Sequence, residues 1–289
     1  MIIMKNSTLI KLMSLILSLI FILCGFAGCK SKSDISSNND SMVDASNSED
    51  EYKLPEGQVL SGEAQNITID DRVINSCSGD TLYMQFFDIC LDLSKPVGEF
   101  MTALKNSKYQ YNTTYTESST GKFYDSSFTI TVIDKGICNY TYKVQLYNPF
   151  NETVLLSKYY IATIEPFSKG ETQADRDLYD SQFTYPNGSD MRYDFIIGPG
   201  GITNGTSTDV FVERIMKSSY FNNDISVTEG RDDDRHLFTC THSKVSLNYK
   251  YNIPGAVIRG RGSQACLVYD MVVDTDSDTI YNPHIEYYY

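Results

Sequence analysis

From about Leu60 to the carboxyl end, the chain is written in short β-prone runs, each closed by turn residues, and only two segments carry helical spacing. The pattern predicts strands over Asn66–Asp70, Leu82–Leu91, Phe128–Ile133, Tyr140–Tyr147 and Val154–Ile164. It predicts five more over Arg192–Ile197, His236–Thr241, Val245–Ile253, Ala265–Val273 and Thr279–Tyr288. Val97, Phe100, Met101 and Leu104 recur on one helix face, with Ser94 as a cap and Pro96 in the first turn. Phe211, Val212, Ile215 and Met216 do the same, with Ser207 and Asp209 at the start. The expected fold class is α+β: two small domains, each a short helix packed on an antiparallel sheet. The first domain is expected over 58–166 and the second over 190–289. The polar stretch 167–189, with Ser168-Lys169-Gly170 and Tyr185-Pro186-Asn187-Gly188, reads as the linker between them.

The two halves echo one another. A shift of 111 residues superposes Phe100 on Phe211, Ser107 on Ser218, Tyr109 on Tyr220 and Asn112 on Asn223. A shift of 109 places Asn139-Tyr140-Thr141-Tyr142 on Asn248-Tyr249-Lys250-Tyr251. Common ancestry and coincidence in a chain rich in Tyr and Asn both remain open. Either way, each half reads as one helix followed by antiparallel strands.

Ahead of this region stands a leader. Lys5 and Lys11 are its only charges, the chain from Leu12 to Gly28 is almost wholly apolar, and Phe26-Ala27-Gly28-Cys29 follows. A basic start, an apolar core and small residues before a cut site make a secretory signal over 1–29. The Ala27-Gly28-Cys29 run resembles the lipobox of bacterial lipoproteins, with Phe26 where that family usually has Leu. The resemblance implies that Cys29 receives a diacylglycerol and becomes the new amino terminus. Leu23 makes Cys24 a poor competitor. The alternatives are an uncleaved membrane anchor, since the apolar run approaches the roughly 17–25 residues that span a bilayer, and cleavage without lipid. Each puts the rest of the chain outside the cytoplasm, and the first reading puts it on the cell membrane, held by lipid at the extracytoplasmic face. Residues 30–57 are rich in Ser, Asn and Asp, and too poor in large apolar residues to fold. They form a flexible polar tether with a root-mean-square span of roughly 25–30 Å.

The net charge of −13 and pI near 4.6 disfavour a nucleic-acid partner, which needs clustered Lys and Arg. The acidic balance also gives no electrostatic hold on anionic lipids, so acyl chains must do the holding.

Ile89 to Pro166, with Tyr147-Asn148-Pro149 and Tyr160-Ile161-Ala162-Thr163-Ile164, resembles the first domain of uncharacterised two-domain lipoproteins from anaerobic Gram-positive bacteria. Gly200-Gly201-Ile202 with Gly205-Thr206-Ser207-Thr208-Asp209 resembles the opening of their second domain. That second domain is similar to the helix-plus-sheet modules of β-lactamase inhibitor proteins and of small outer-membrane assembly lipoproteins. The sequence departs at Ser218–Asn223, where such modules carry a Gly-Pro break after the helix. The resemblance transfers no catalytic residue.

The chemistry-bearing residues mostly have plain explanations. An extracytoplasmic setting permits disulfides among Cys77, Cys90, Cys138, Cys240 and Cys266. The expected strand Val245–Ile253, lying between those of Cys240 and Cys266, would hold that pair roughly 9–10 Å apart, so buried free thiols are expected. His236, Cys240 and His242 share a strand face, but three ligands on one flat face cannot surround a tetrahedral ion, and no metal or other cofactor is expected. Asp274-Thr275-Asp276-Ser277-Asp278 resembles the start of a calcium loop, but Thr279 and Ile285 stand where Gly and Glu belong, so a hairpin turn is expected. Asp232-Asp233-Asp234 reads as an acidic loop. Ser119-Thr120-Gly121-Lys122 lacks the helix start and companion motifs of penicillin-interacting enzymes. Gly198-Pro199-Gly200-Gly201 lacks the Lys and long helix of a phosphate cradle, and reads as a turn.

The surplus of 22 Tyr remains. Core packing explains most of them. A binding surface built from Tyr109, Tyr111, Tyr115, Tyr287, Tyr288 and Tyr289 is the functional alternative, because Tyr gives large contact area at low entropic cost. No nucleophile, base and orienter converge in the sequence. The expected function is therefore a non-catalytic binding module for a protein or envelope component. An envelope-acting hydrolase with paired carboxylates and a purely structural envelope protein are the rivals.

Overall fold

The computed structural model describes residues 67–79, 81–133, 139–219, 221–231, 240–249, 253, 256–257, 265–274 and 277–288. The leader, Cys29, the tether, Asp232–Asp234, His236, Cys138 and Tyr289 lie outside the described residues. Among the described residues no helix is long and apolar enough to cross a membrane.

The fold is α+β, with short helices on small antiparallel sheets. In chain order the elements are α1 (Asp71–Ile74), β1 (Tyr83–Phe86), β2 (Ile89–Asp92), α2 (Val97–Lys105), β3 (Gln110–Thr113), β4 (Ser119–Thr120), β5 (Asp125–Ile133) and β6 (Asn139–Tyr147). Then follow β7 (Val154–Leu155), β8 (Tyr160–Pro166), α3 (Gln173–Ser181), a 3₁₀ turn (Met191–Phe195) and β9 (Ile196–Ile197). Last come α4 (Thr208–Phe211), which runs on as a π-helical turn over Val212–Met216, then β10 (Phe221–Arg231), β11 (Cys240–Tyr249), β12 (Ala265–Asp274) and β13 (Thr279–Tyr288).

The two main sheets are four-stranded meanders, ordered β3-β5-β6-β8 and β10-β11-β12-β13. Each follows a helix. The 111-residue shift carries Val97–Lys105 onto Thr208–Met216, and the first residue of β3 onto that of β10. Phe100 and Phe211, equated by that shift, are both core residues. Phe100 stands edge-on to Phe86, which in turn stands edge-on to Tyr142 of β6 (centroids 6.0 and 5.0 Å). Phe211 stands edge-on to Tyr269 of β12 at 5.3 Å. One apolar cluster runs through both halves, and the described residues form one compact unit. Strand β1 of the first half pairs with β9 of the second, and β8 runs beside β13 where the two sheets meet.

Several segments depart from the expected boundaries, each for a physical reason. Leu82–Leu91 folds as a hairpin, not one strand, turning at Phe87-Asp88 with Phe87 at φ 53°. That left-handed backbone is unfavourable for a bulky residue. It is held by the stack of Phe87 on Phe195 (4.4 Å, 12°) and by the Phe87 N–H donating to Phe195 O at 2.9 Å. Val154–Ile164 breaks at a 3₁₀ turn, Leu156–Lys158, whose Leu156 is buried. Residues 67–70 are irregular, and the Asp70 carboxylate caps α1. Ser94 does not cap α2; its hydroxyl donates to Asp92, and the Val97 N–H donates to Tyr159 O at 2.6 Å instead. Ser207 does cap α4, accepting from the Val210 N–H.

Candidate functional site

A polar cleft of about 380 Å³ lies where the two sheets meet. β11 contributes His242, β12 contributes Asp270 to Val272, and β13 contributes Asn282 and His284. Pro166, Ser168, Asp180, Asp190, Arg192 and Tyr193 form the second side.

Most of that second side comes from a stretch read as linker and strand. Arg192–Ile197 alternates polar and apolar residues, hence the expected strand, yet Met191–Phe195 is a 3₁₀ turn. Asp190 is the cause: its carboxylate accepts from the Arg192 N–H at 2.9 Å and also from the Arg192 Nε–H, which draws the backbone into a turn. The next four side chains then point to four different neighbourhoods. Arg192 is 3% exposed and its Nη2 meets Asp180 at 2.9 Å and Asp190 at 2.6 Å. Its Nη1 donates to Phe167 O, and its guanidinium lies over the Phe183 ring at 4.8 Å. Burial opposes its charge, but the two carboxylates outweigh that and hold the guanidinium firmly protonated. Tyr193 lines the cleft, and Phe195 stacks on Phe87.

Asp194 is half-buried. It accepts from Tyr185 Oη at 2.5 Å and Asn204 Nδ2 at 2.9 Å, and burial pushes its carboxyl up to about 7. The same Asn204 amide donates to Asp190 O, while its Oδ1 accepts from the Asn282 N–H at 2.7 Å. Asn282 Oδ1 in turn accepts from the Asp190 N–H. Asn282 sits at φ 49° in a bulge of β13, where the register with β12 shifts between Asp270 and Val272.

The linker reading of 167–189 also missed helix α3. Thr172 and Asp175 form a capping box at its start. None of its residues is buried, so no apolar stripe marked it in the sequence. Asp180, at its end, ties it to Arg192 and to the Ser168 hydroxyl.

Beside the cleft, charged side chains cross both sheets on the outer face. Lys143 of β6 stands opposite Glu165 of β8, 3.9 Å between charged atoms. Glu165 reaches His284 of β13 at 3.6 Å across the junction. His284 stands opposite Asp270 of β12, which stands opposite Lys244 of β11 and approaches it at 3.6 Å. His242 also contacts Asp270, and Glu286 approaches His284 at 3.6 Å. These pairs are half-exposed, so each contributes at most a few tenths to about 1 kcal/mol. Their importance is geometric, because they make one outer surface of two sheets.

The tyrosines expected at a binding surface are placed differently. Tyr287 is 3% exposed and belongs to the core, because strand alternation turns it to the inner face with Ile285. Tyr109 packs edge-on against Phe87 at 5.0 Å with the Lys108 ammonium over its ring. Tyr111 is half-buried on β3, opposite core Val132. Tyr115 packs on Phe128 and donates to Glu117. Burial raises the hydroxyl pKa of both Tyr111 and Tyr115. The structure therefore does not bring the six together: Tyr109, Tyr111 and Tyr115 line the edge of the first sheet, Tyr287 lies in the second, and the Tyr288 and Tyr289 side chains lie outside the described ones.

Cys77 is buried, and Cys90 and Cys266 are half-buried; all three are free thiols. Burial raises all three, Cys77 to about 12 and Cys90 to about 11. β11 pairs directly with β12, correcting the expected intervening strand. Cys240 stands opposite Asp274 and Cys266 opposite Asn248, so the two lie at opposite ends of the ladder, about 27 Å apart by strand rise. Among the described residues no group of His, Cys, Asp or Glu is arranged to hold a metal ion. Asp274 accepts from Ser277 and Asp278 from Thr208 in the β12–β13 hairpin. No protein-family profile, curated protein or solved structure matches the chain.

Proposed function

We propose that the chain is a lipid-anchored, extracytoplasmic binding protein that holds another protein or an envelope component against the outer face of its two sheets, without catalysing a reaction. The observation that carries this is the charge ladder from Lys143 to Lys244, which gives two sheets one continuous polar surface. The leader ending at Cys29 supports the anchor, the tether supplies reach, and the resemblance to two-domain lipoproteins agrees with both.

A hydrolase of the two-carboxylate kind needs a pair left free to act on substrate. In the cleft, Asp180 and Asp190 share the Arg192 guanidinium, and Asp270 lies between His242 and Lys244, which favours binding over that rival.

Two experiments test the proposal. Metabolic labelling with a fatty-acid analogue should tag the wild type and spare Cys29→Ala; equal labelling would remove the anchor. Unlipidated Cys29→Ala protein should be retained by isolated cell envelopes, and adding Lys143→Glu with Lys244→Glu should abolish retention. Undiminished retention would move the binding surface elsewhere.

A further inference from the structure

We propose that Asp194 is a proton switch beneath the cleft: uptake of one proton reverses its hydrogen bond with Tyr185 and, through Asn204 and Asn282, rearranges the cleft floor. The inference is independent of what the outer face binds.

The geometry is a closed relay. In the ionised state the carboxylate accepts twice, from Tyr185 Oη–H at Oδ2 and from Asn204 Nδ2–H at Oδ1. Asn204 then has both amide hydrogens engaged, one on Asp194 and one on Asp190 O, and its Oδ1 holds the Asn282 N–H. Asn282 and Asp190, the far ends of this relay, both line the cleft. A proton taken from solvent onto Oδ2 makes the group a donor. The new O–H then donates to Tyr185 Oη, and the phenolic hydrogen must rotate to another acceptor. Loss of the negative charge also weakens the charge-assisted bond that fixes the Asn204 amide. No covalent bond other than this O–H forms or breaks.

The surroundings favour the change near neutrality. Asp194 is largely removed from water, and the titratable groups facing it are Tyr185 from the preceding turn, Tyr142 from β6 and Asp190 from the head of its own turn. Among the described residues no cation pairs with it, since the neighbouring Arg192 is committed to Asp180 and Asp190. Burial first, then the Asp190 charge, bring its carboxyl to about 7, against donors that pull it down.

NMR on the full-length protein in detergent, from pH 5.5 to 8.5, tests the proposal. The Asn204 side-chain amide and the Asn282 backbone amide should move together with a midpoint near 7. The movement should persist in His284→Gln and vanish in Asp194→Asn, whose side chain keeps the shape without the titration. Tyr185→Phe, which removes one donor to the ionised form, should shift the midpoint upward by a measurable fraction of a pH unit. It also serves as the independent variant should Asp194→Asn fold poorly. Static amides across the range, or a titration unchanged in Asp194→Asn or abolished in His284→Gln, would overturn the switch.

Discussion

Arg192 and the buried tyrosines show how single side chains join this molecule. Arg192 neutralises two carboxylates from different segments while itself excluded from water, so its removal strands both. Arg192→Ala is expected to destabilise the protein by about 3 kcal/mol, the lower end for a broken buried pair because Asp180 and Asp190 keep some solvent. Urea unfolding at pH 7 measures this, and Arg192→Lys should recover only part, since an ammonium cannot reproduce the fork. Tyr142 and Tyr269, one in each sheet, are fully buried and donate to Arg192 O and Pro199 O. Tyr269→Phe leaves the Pro199 carbonyl without that donor, and should cost about 1–2 kcal/mol in the same measurement. Asp194 adds a pH dependence of known sign. Its folded carboxyl titrates near 7 and its unfolded one near ~3.9, so the folded state binds more protons between those values. Its contribution to stability is therefore full below about pH 4 and is lost as the pH rises through 7. The melting temperature of Asp194→Asn should fall less than that of the wild type between pH 5 and 8.

At the scale of elements, local signals succeed where the pattern is amphipathic and fail where tertiary contacts set the backbone. α2 buries Val97, Phe100 and Leu104 on one face, and that stripe is readable as helix spacing. α3 has no such stripe, and Leu178 is 68% exposed; it is held by its capping box, by Asp180 on Arg192 and Ser168, and by Tyr179, which packs on Phe183 and donates to Asn139 O. Thr172→Ala should therefore cost about 1 kcal/mol locally. It should appear as faster amide exchange confined to 173–181, and protection unchanged there would mean that Tyr179 and Asp180 secure the helix without the cap. The Phe87-Asp88 turn lacks the Asn-Gly type of signal that marks a tight hairpin, and it exists because Phe195 stacks on Phe87. β12 and β13 follow their sequence runs closely, since alternation and a polar turn agree there. β11 instead runs unbroken across the gap expected between His236–Thr241 and Val245–Ile253, and no run is expected over β10, whose register is set by pairing with β11.

For the whole molecule, the expected division into 58–166 and 190–289 survives as a proposal about how the chain folds, while the contacts describe a shared core. β1 pairs with β9, Phe87 stacks on Phe195, and Tyr142 reaches Arg192. Brief proteolysis that nicks the exposed 170–182 segment should thus give two fragments on denaturing gels that co-elute under native conditions. Separation into two particles would restore two independent domains.

The sequence by itself determined the class of fold, the two helices with apolar stripes and most of the long strands. Those features rest on local periodicity and composition, which a neighbour in space need not supply. The cleft was not legible there, because its residues come from the end of β8, from α3, from the turn that holds Arg192, and from β11, β12 and β13, segments far apart in the chain. Asp190, Arg192 and Asp194 look like the polar positions of a strand until Asp180, Asn204 and Tyr185 are brought beside them. Only tertiary structure decides that, since burying a charge or a carboxyl stands or falls on partners that chain order does not reveal.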